Sequence, residues 1–284
     1  MLRVVVTLVV LFGFVAGLSA HPGIGIVMDS RGNVFYTDLR QVWRISPEGA
    51  KTIAVPDVHT HELCLDEKDN LYGEHLRYEG DTTGKWRHRV WRRAPDGTVV
   101  DVIPEREGFL QNYSFVRDRN GNMYWADRAK ETTVIRKRSA DGKFSVFATG
   151  DFRDVRWMTS RSDGTVFLID DGDLRRITPD GNVSTVARNL DQRSLTQIFV
   201  KDRHALMGLW PDKQGNVYVA VYSARIVKRV APDGRVSVVA RSSWPWSPTG
   251  GMVAPNGDGW ILENSATNAV RVRRIHRGSE RTWQ

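Results

Sequence analysis

Two kinds of glycine-centred turn alternate along almost the whole chain of 284 residues, and this repeat restricts the fold more than any other feature. The first turn has the pattern Asp-x-x-Gly-Asn and is followed by an apolar or aromatic stretch. Its copies are DSRGNVFYTD from Asp29, DEKDNLYGEH from Asp66, DRNGNMYWAD from Asp118, RSDGTVFLID from Arg161, DKQGNVYVAV from Asp212 and, more loosely, APNGDGWILE from Ala254. The copies recur at spacings of roughly 40 to 50 residues, the range expected for propeller blades.

A second turn follows each of these after about twenty residues. Its copies begin at Ser46, Ala94, Ser139, Thr178 and Ala231, with a degenerate last copy at His276. Several of them place Pro ahead of an Asp-Gly pair, which suits the backbone angles of a tight turn. The flanking residues are rich in Val, Ile, Phe, Tyr and Trp, as strands require. Each period therefore predicts four antiparallel strands.

Six such sheets predict a six-bladed, all-β propeller. A four-stranded sheet of this size cannot bury both faces alone, whereas blades stacked around an axis cover one another. No window shows apolar residues at a sustained helical spacing. We expect one propeller domain over residues 21–284, built of four-stranded antiparallel blades. The last strand, at residues 280–284, is short, and no N-terminal strand is evident that would interlock with it.

The first twenty residues have the composition of a secretory signal. Arg3 precedes a nearly apolar run from Val4 to Val15, and small residues lead to Ala20. The run is too short for a comfortable membrane span. We expect a signal peptide at residues 1–20, export to the periplasm or the extracellular space, and no stable membrane span once it is removed. An uncleaved anchor is the alternative.

The charge balance permits acidic partners without identifying one. The chain has 41 Lys and Arg against 33 Asp and Glu, a formal charge of +8, and a single cysteine, which excludes an internal disulfide. The basic tracts at residues 85–93 and 271–277 alternate arginines with apolar residues, a pattern typical of a solvated blade edge. We therefore expect no nucleic acid partner.

The paired turns resemble those of NHL-repeat propellers and of the related senescence-marker/gluconolactonase-like group. The resemblance covers nearly all of residues 21–284 and implies the six-bladed fold. It does not specify an activity, because such folds serve as lactonases, lyases and binding platforms.

The repeat also predicts which side chains gather at one mouth of the central channel. Five residues before each repeat position, where the innermost strands begin, stand Ile24, His61, Tyr113, Arg156, Met207 and Thr249. The second strands end at Asp38, His75, Asp127, Asp170, Val221 and Glu263. Pairing about the turn of blade 2 places His61 opposite His75, with Glu62 beside them, and directly opposed side chains lie close together. His204 belongs to the loop that leads into blade 5.

Three interpretations of this cluster stay open. His61, His75, His204 and Glu62 could hold a divalent metal such as Zn²⁺, since imidazole and carboxylate are suitable ligands; propeller amidating lyases are similar in placing histidines where innermost strands begin. A Ca²⁺ site like that of the lactonases is disfavoured, because their acidic and amide ligand positions carry Ile24, Tyr113, Arg156 and Met207 here. Without a metal, His61 or His75 could transfer protons, with Tyr113 and Arg156 assisting and Arg156 binding an anionic group.

We expect an exported propeller that binds a small-molecule, peptide-like or polymer ligand at this mouth, with lyase or hydrolase activity as the leading hypothesis. His61, His75, Arg156 and Tyr113 are its candidate catalytic residues. The alternative is a non-catalytic recognition scaffold of the cell envelope that uses the same face.

Overall fold

The computed structural model describes residues 22–108, 116–129, 132–191, 205–276 and 278–284. These residues form six separate four-stranded sheets, so the predicted six-bladed propeller is confirmed. Neighbouring strands within each sheet are consecutive in sequence and antiparallel. No α-helix occurs within the described ranges, and none of their elements is a helix long and apolar enough to cross a membrane.

The first three blades are as follows. Blade 1 consists of β1 (Ile26–Met28), β2 (Val34–Thr37), β3 (Val42–Ile45) and β4 (Lys51–Val55). Blade 2 consists of β5 (Leu63–Leu65), β6 (Leu71–Tyr78), β7 (Trp86–Arg93) and β8 (Val99–Glu107). Blade 3 consists of β9 (Val116–Arg117), β10 (Met123–Ala129), β11 (Thr132–Arg138) and β12 (Phe144–Thr149).

The last three blades repeat this order. Blade 4 consists of β13 (Val155–Ser160), β14 (Val166–Asp170), β15 (Asp173–Ile177) and β16 (Val183–Ala187). Blade 5 consists of β17 (Leu209–Pro211), β18 (Val217–Val221), β19 (Ile226–Val230) and β20 (Val236–Arg241). Blade 6 consists of β21 (Trp246–Val253), β22 (Gly259–Ser265), β23 (Val270–His276) and β24 (Ser279–Trp283).

The Asp of the repeat holds the turn between the first and second strands of its blade. In blade 3, Asp118 accepts hydrogen bonds from the backbone and the side-chain amide of Asn122 at 2.9 and 2.8 Å, and from the Tyr124 hydroxyl at 3.1 Å. The turn glycine, Gly121, has a φ of +85°, which a side chain would strain. The same bonds from Asn to Asp recur in blades 1, 2 and 5. The recurring Asp, Gly and Asn are therefore one hydrogen-bonded unit.

The ring closes without a shared strand, since all four strands of blade 6 come from the end of the chain. The indole nitrogen of Trp283 donates to the carbonyl oxygen of Gly49 in blade 1 at 3.0 Å, and its ring stacks on Trp260 at 5.2 Å. Nearer the axis, a Cβ placed on Gly250 would lie 2.0 Å from the carbonyl oxygen of Ile24. Only glycine allows blade 6 to approach blade 1 so closely, and packing joins the two ends of the chain.

Asp118→Ala should lower the free energy of unfolding by about 1 to 3 kcal/mol, because it leaves buried donors of Asn122 and Tyr124 without an acceptor. Asp96→Ala, in an exposed turn at the outer side of blade 2, is the matched control and should leave stability nearly unchanged. Urea unfolding measures both. Equal effects of the two variants would contradict the structural role of the repeat Asp.

Trp283→Ala should destabilise the protein by about 3 to 5 kcal/mol, the usual range for a large aromatic side chain removed from a packed site. Trp244→Ala is the control, since Trp244 is 77% exposed and Trp283 only 9%. Thermal unfolding followed by tryptophan fluorescence and circular dichroism compares them. If both variants unfold like the parent protein, the outer strand of blade 6 does not close the ring.

Candidate active site on blade 2

A channel with a volume of about 600 Å³ runs between the innermost strands of the six blades. All six of those strands line it: β1, β5, β9, β13, β17 and β21. We call the end at which these strands begin the upper mouth, and the end with the Asp-x-x-Gly turns the lower mouth. Glu62, directly before β5, lines the channel on the upper side.

Three histidines of blade 2 meet beside the upper mouth. The register of β5 and β6 runs from Leu63 opposite Gly73 to Leu65 opposite Leu71 and ends before His61. The backbone N–H of Leu76 donates to the carbonyl oxygen of His59 at 3.0 Å, one residue out of that register, so the structure does not show His61 directly opposite His75. The backbone N–H of His59 donates to Nδ1 of His75 at 2.9 Å. The rings of His59 and His61 are in contact edge to face, with centroids 4.8 Å apart. His59 therefore contacts both of the other histidines, and the assignment of a site to them stays a prediction.

The loop that carries these histidines is anchored on both sides. The carbonyl oxygen of His61 accepts bonds from the backbone N–H groups of Ile24 and Gly25 in blade 1 at 2.9 and 2.8 Å. The Thr60 hydroxyl donates to the carbonyl oxygen of Glu74 at 2.6 Å, and the Trp91 indole donates to that hydroxyl at 3.3 Å. Thr60 is fully buried, so the backbone on either side of it is held in place.

The environment of the histidines favours their uncharged forms. Burial, reinforced by the nearby positive charge of Arg89, lowers the pKa of His75. Burial also lowers the pKa of His59. Because Nδ1 of His75 accepts a hydrogen bond, the neutral ring carries its proton on Nε2. His75 can therefore donate a hydrogen bond from Nε2 to a ligand.

A protonated carboxyl group belongs to the same blade. Glu74 pairs with Val90 across β6 and β7 and shares its face, where Val90 packs with Met123 of blade 3. Glu74 keeps some exposed surface, but burial of its carboxyl group raises the pKa to about 8. At neutral pH this side chain is mostly a proton donor. Glu62, directly before β5 in the same blade, lines the channel.

Arg156 lies on β13 in blade 4 and forms an ion pair with Asp154, with Nη2 and Oδ2 2.8 Å apart. The guanidinium group is therefore already partly neutralised within its own blade. Tyr113 and His204 lie outside the described residues. Of the predicted catalytic and metal-binding side chains, the structure brings together His61, His75 and Glu62.

The carboxylates at the ends of the second strands have structural partners. Asp170 is fully buried and accepts bonds from the backbone N–H groups of Arg153 and Asp154 at 2.8 and 2.7 Å. Glu263, also fully buried, forms ion pairs with Arg271 and Arg273 at 2.6 and 3.1 Å. These carboxylates hold loops and strands together, a role that their position in the sequence repeat did not reveal.

No group of three or more His, Cys, Asp or Glu side chains that could hold a metal ion occurs within the described ranges. Nδ1 of His75 is also engaged with the backbone of His59. His204, the fourth member of the predicted metal set, is outside those ranges, so the complete set stays a prediction. The described residues by themselves are suited to proton transfer.

No protein-family model matches the chain, and no curated protein does. Solved structures do match. A virginiamycin B lyase from Staphylococcus aureus is 14% identical with a TM-score of 0.55, covering 92% of this chain and 84% of that one. A gluconolactonase from Xanthomonas campestris is 11% identical with a TM-score of 0.58, covering 87% and 83%.

A luciferin-regenerating enzyme is 13% identical with a TM-score of 0.58, covering 91% of this chain and 86% of that one. The identities are low, so these matches bear on the fold alone. The predicted resemblance to gluconolactonase-like propellers is confirmed at that level. The chain is a six-bladed β-propeller of the architecture that lyases and lactonases share.

Glu74→Gln should change how stability depends on pH. The pKa of Glu74 rises from its ordinary value of 4.5 to about 8 on folding, so between these values the folded state holds more protons than the unfolded chain. The free energy of unfolding therefore falls as pH rises through this interval. Glutamine does not ionise, so the free energy of unfolding of the variant should fall less between these pH values. The variant should therefore be more stable than the parent protein at pH 8.

Urea unfolding at several pH values between 4.5 and 8 measures the difference. Glu67→Gln, at an exposed turn of the same blade, should keep the slope of the parent protein. Parallel stability curves for the parent and Glu74→Gln would show that Glu74 titrates normally.

Proposed function

We propose that this chain is an exported lyase or hydrolase that binds a small-molecule or peptide-like ligand at the upper mouth and acts on it by proton transfer from blade 2. The observation that carries the proposal is the convergence of His59, His61 and His75 beside Glu62, which lines the channel. Export follows from the signal-like composition of residues 1–20 and is part of the proposal.

The chemistry follows from the protonation states. Glu74 holds its proton at neutral pH, which suits the donation of a proton to a leaving group, and the neutral His75 offers a hydrogen bond from Nε2. His61 and Glu62 complete the cluster on the channel side as candidate acceptors for a substrate proton. A donor and an acceptor on one rigid blade suit elimination and the opening of a cyclic ester, the two reaction classes for which propellers of this fold are named.

A recognition scaffold is the second candidate, and a specific observation favours it. Asp170 and Glu263 at the ends of the second strands, and Arg156, are paired with charges of their own blades. Such pairs give a rigid polar surface that needs no chemistry in order to bind a protein or an envelope polymer. In that case the blade 2 cluster would contribute to affinity only.

His61→Ala and His75→Ala should each lower kcat/KM by about a hundredfold, the usual scale for loss of a positioned acid or base. Gluconolactone and virginiamycin B are the first substrates to assay, since enzymes that share the fold are named for them. His276→Gln is the control, because His276 lies beside the turn of blade 6 that contains Asp258, at the lower end of the propeller.

Metal analysis of the same preparations separates the two catalytic versions. Stoichiometric Zn²⁺ or Ca²⁺ that is lost in His61→Ala supports the metal-assisted version, which would also use His204. Activity without a bound metal supports proton transfer by the side chains alone. Unchanged kinetics and unchanged ligand affinity in both histidine variants would refute a site on blade 2.

A further inference from the structure

The lower mouth of the channel carries a concentration of positive charge that the proposed reaction does not use. Four cationic residues of blades 3, 4 and 5 line the channel there: Arg117, Arg119, Arg161 and Lys213. The residues of blades 6, 1 and 2 that face the same end are mostly apolar, among them Met28, Leu65, Val253 and Pro255. The lower mouth therefore has one basic side and one apolar side.

Arg161 results from a change in the repeat itself. It stands where blades 1, 2, 3 and 5 have the turn-holding Asp, and Thr165 stands where they have Asn. The turn keeps its backbone bonds, from Arg161 N–H to Thr165 at 2.8 Å and from Gly164 N–H to Arg161 at 3.0 Å. Blade 4 thus replaces a carboxylate at the channel by a guanidinium group while its turn stays intact.

The side chain of Arg161 extends along the mouth toward blade 5, where its Nη1 atom lies 3.6 Å from the place a Cβ of Gly215 would occupy. Among the described residues it forms an ion pair only with Asp163, at 3.4 Å, with the two side chains 33% and 50% exposed. Such an exposed pair contributes little and does not prevent the guanidinium group from binding a second anion.

The side chain of Arg117 is positioned by an aromatic ring of the neighbouring blade. Its guanidinium carbon lies 4.2 Å from the centre of the Tyr72 ring in blade 2. Its Nε atom is buried and has no hydrogen-bond partner among the described residues. Blades 1, 2 and 6 have Met28, Leu65 and Val253 at the equivalent position, so the charge is specific to blade 3. A buried donor that has no acceptor lowers the stability of the folded protein, and a ligand oxygen that accepts its hydrogen bond would remove this cost.

Arg119 and Lys213 occupy equivalent positions in the turns of blades 3 and 5, and both are exposed. Neither has an ion pair within the described ranges. The two carboxylates that line the same end, Asp118 and Asp212, are occupied with their turn asparagines and with the hydroxyl groups of Tyr124 and Tyr218. Blade 2 carries Glu67 at this turn position, but Glu67 does not line the channel.

We propose that the lower mouth binds a small oxyanion with at least two negative charges, a phosphate ester or a polycarboxylate, against Arg117, Arg119, Arg161 and Lys213. Arginine and lysine are the side chains suited to such groups, and a narrow channel concentrates their field. The site lies at the end of the channel opposite to the blade 2 cluster, so it is separate from the proposed reaction.

The test uses isothermal titration calorimetry of the whole protein with pyrophosphate and with citrate, at one fixed ionic strength set with sodium chloride. Saturable binding with one site per chain is expected. Arg161→Asp combined with Thr165→Asn restores the turn of the other blades and should weaken binding at least about tenfold. Arg119→Ala combined with Lys213→Ala, at exposed positions, should do the same without affecting the fold.

Arg235→Ala is the matched control, since Arg235 is an exposed arginine in the outer turn of blade 5 that does not line the channel. Its affinity should equal that of the parent protein. Tighter binding of pyrophosphate assigns phosphate esters, and tighter binding of citrate assigns polycarboxylates. The proposal is overturned if neither anion binds saturably, or if both double variants bind as tightly as the Arg235→Ala control.

Discussion

The tight turn between the first two strands of each blade, held in four of the six blades by hydrogen bonds to the repeat Asp, is the constraint on which the architecture depends. One carboxylate fixes the turn, the adjacent Asn and, in three blades, a Tyr hydroxyl at the start of the second strand. It therefore sets the register of the innermost hairpin. Because that hairpin faces the channel, the same bonds decide which side chains reach each mouth. Blade 2, with Asp69 in place of the turn glycine at a φ of 58°, keeps this arrangement.

The fold was predictable because its information is local. The residues that specify each turn lie close together in the sequence. The strands that pair within each blade are consecutive. The register of the innermost hairpin departs from this local pattern near His61, where the backbone N–H of Leu76 bonds to the carbonyl oxygen of His59. What the sequence could not show is the contact between blades and between loops. Glu74 is an ordinary strand residue in the sequence, and its raised pKa arises from a burial that the sequence pattern does not mark.

The same limit explains the acidic and basic residues. In the sequence, Asp170, Glu263 and Arg156 stand at mouth positions and suggest a ligand site. In the structure each forms an ion pair within its own blade, with Arg175, Arg271 and Asp154 respectively, and the repeat does not mark these partners. The basic tract of blade 2 behaves likewise, since Arg87 pairs with Glu79 and Arg89 with Asp101. The described arginines of both basic tracts are half-buried or, like Arg273, buried, and β7 and β23 have neighbours on both sides, so the predicted solvated blade edge is wrong.

The manner of ring closure has a consequence for the history of such chains. Because no sheet borrows a strand from the other end of the polypeptide, the junction of blades 6 and 1 resembles every other junction between blades. Duplication of a gene segment could add a whole blade. A circular permutation at a blade boundary would leave each sheet intact. Few residues make this junction distinctive, and the main ones are Trp283 and Gly250. An ancestor could therefore have been assembled from identical modules, with closure refined afterwards.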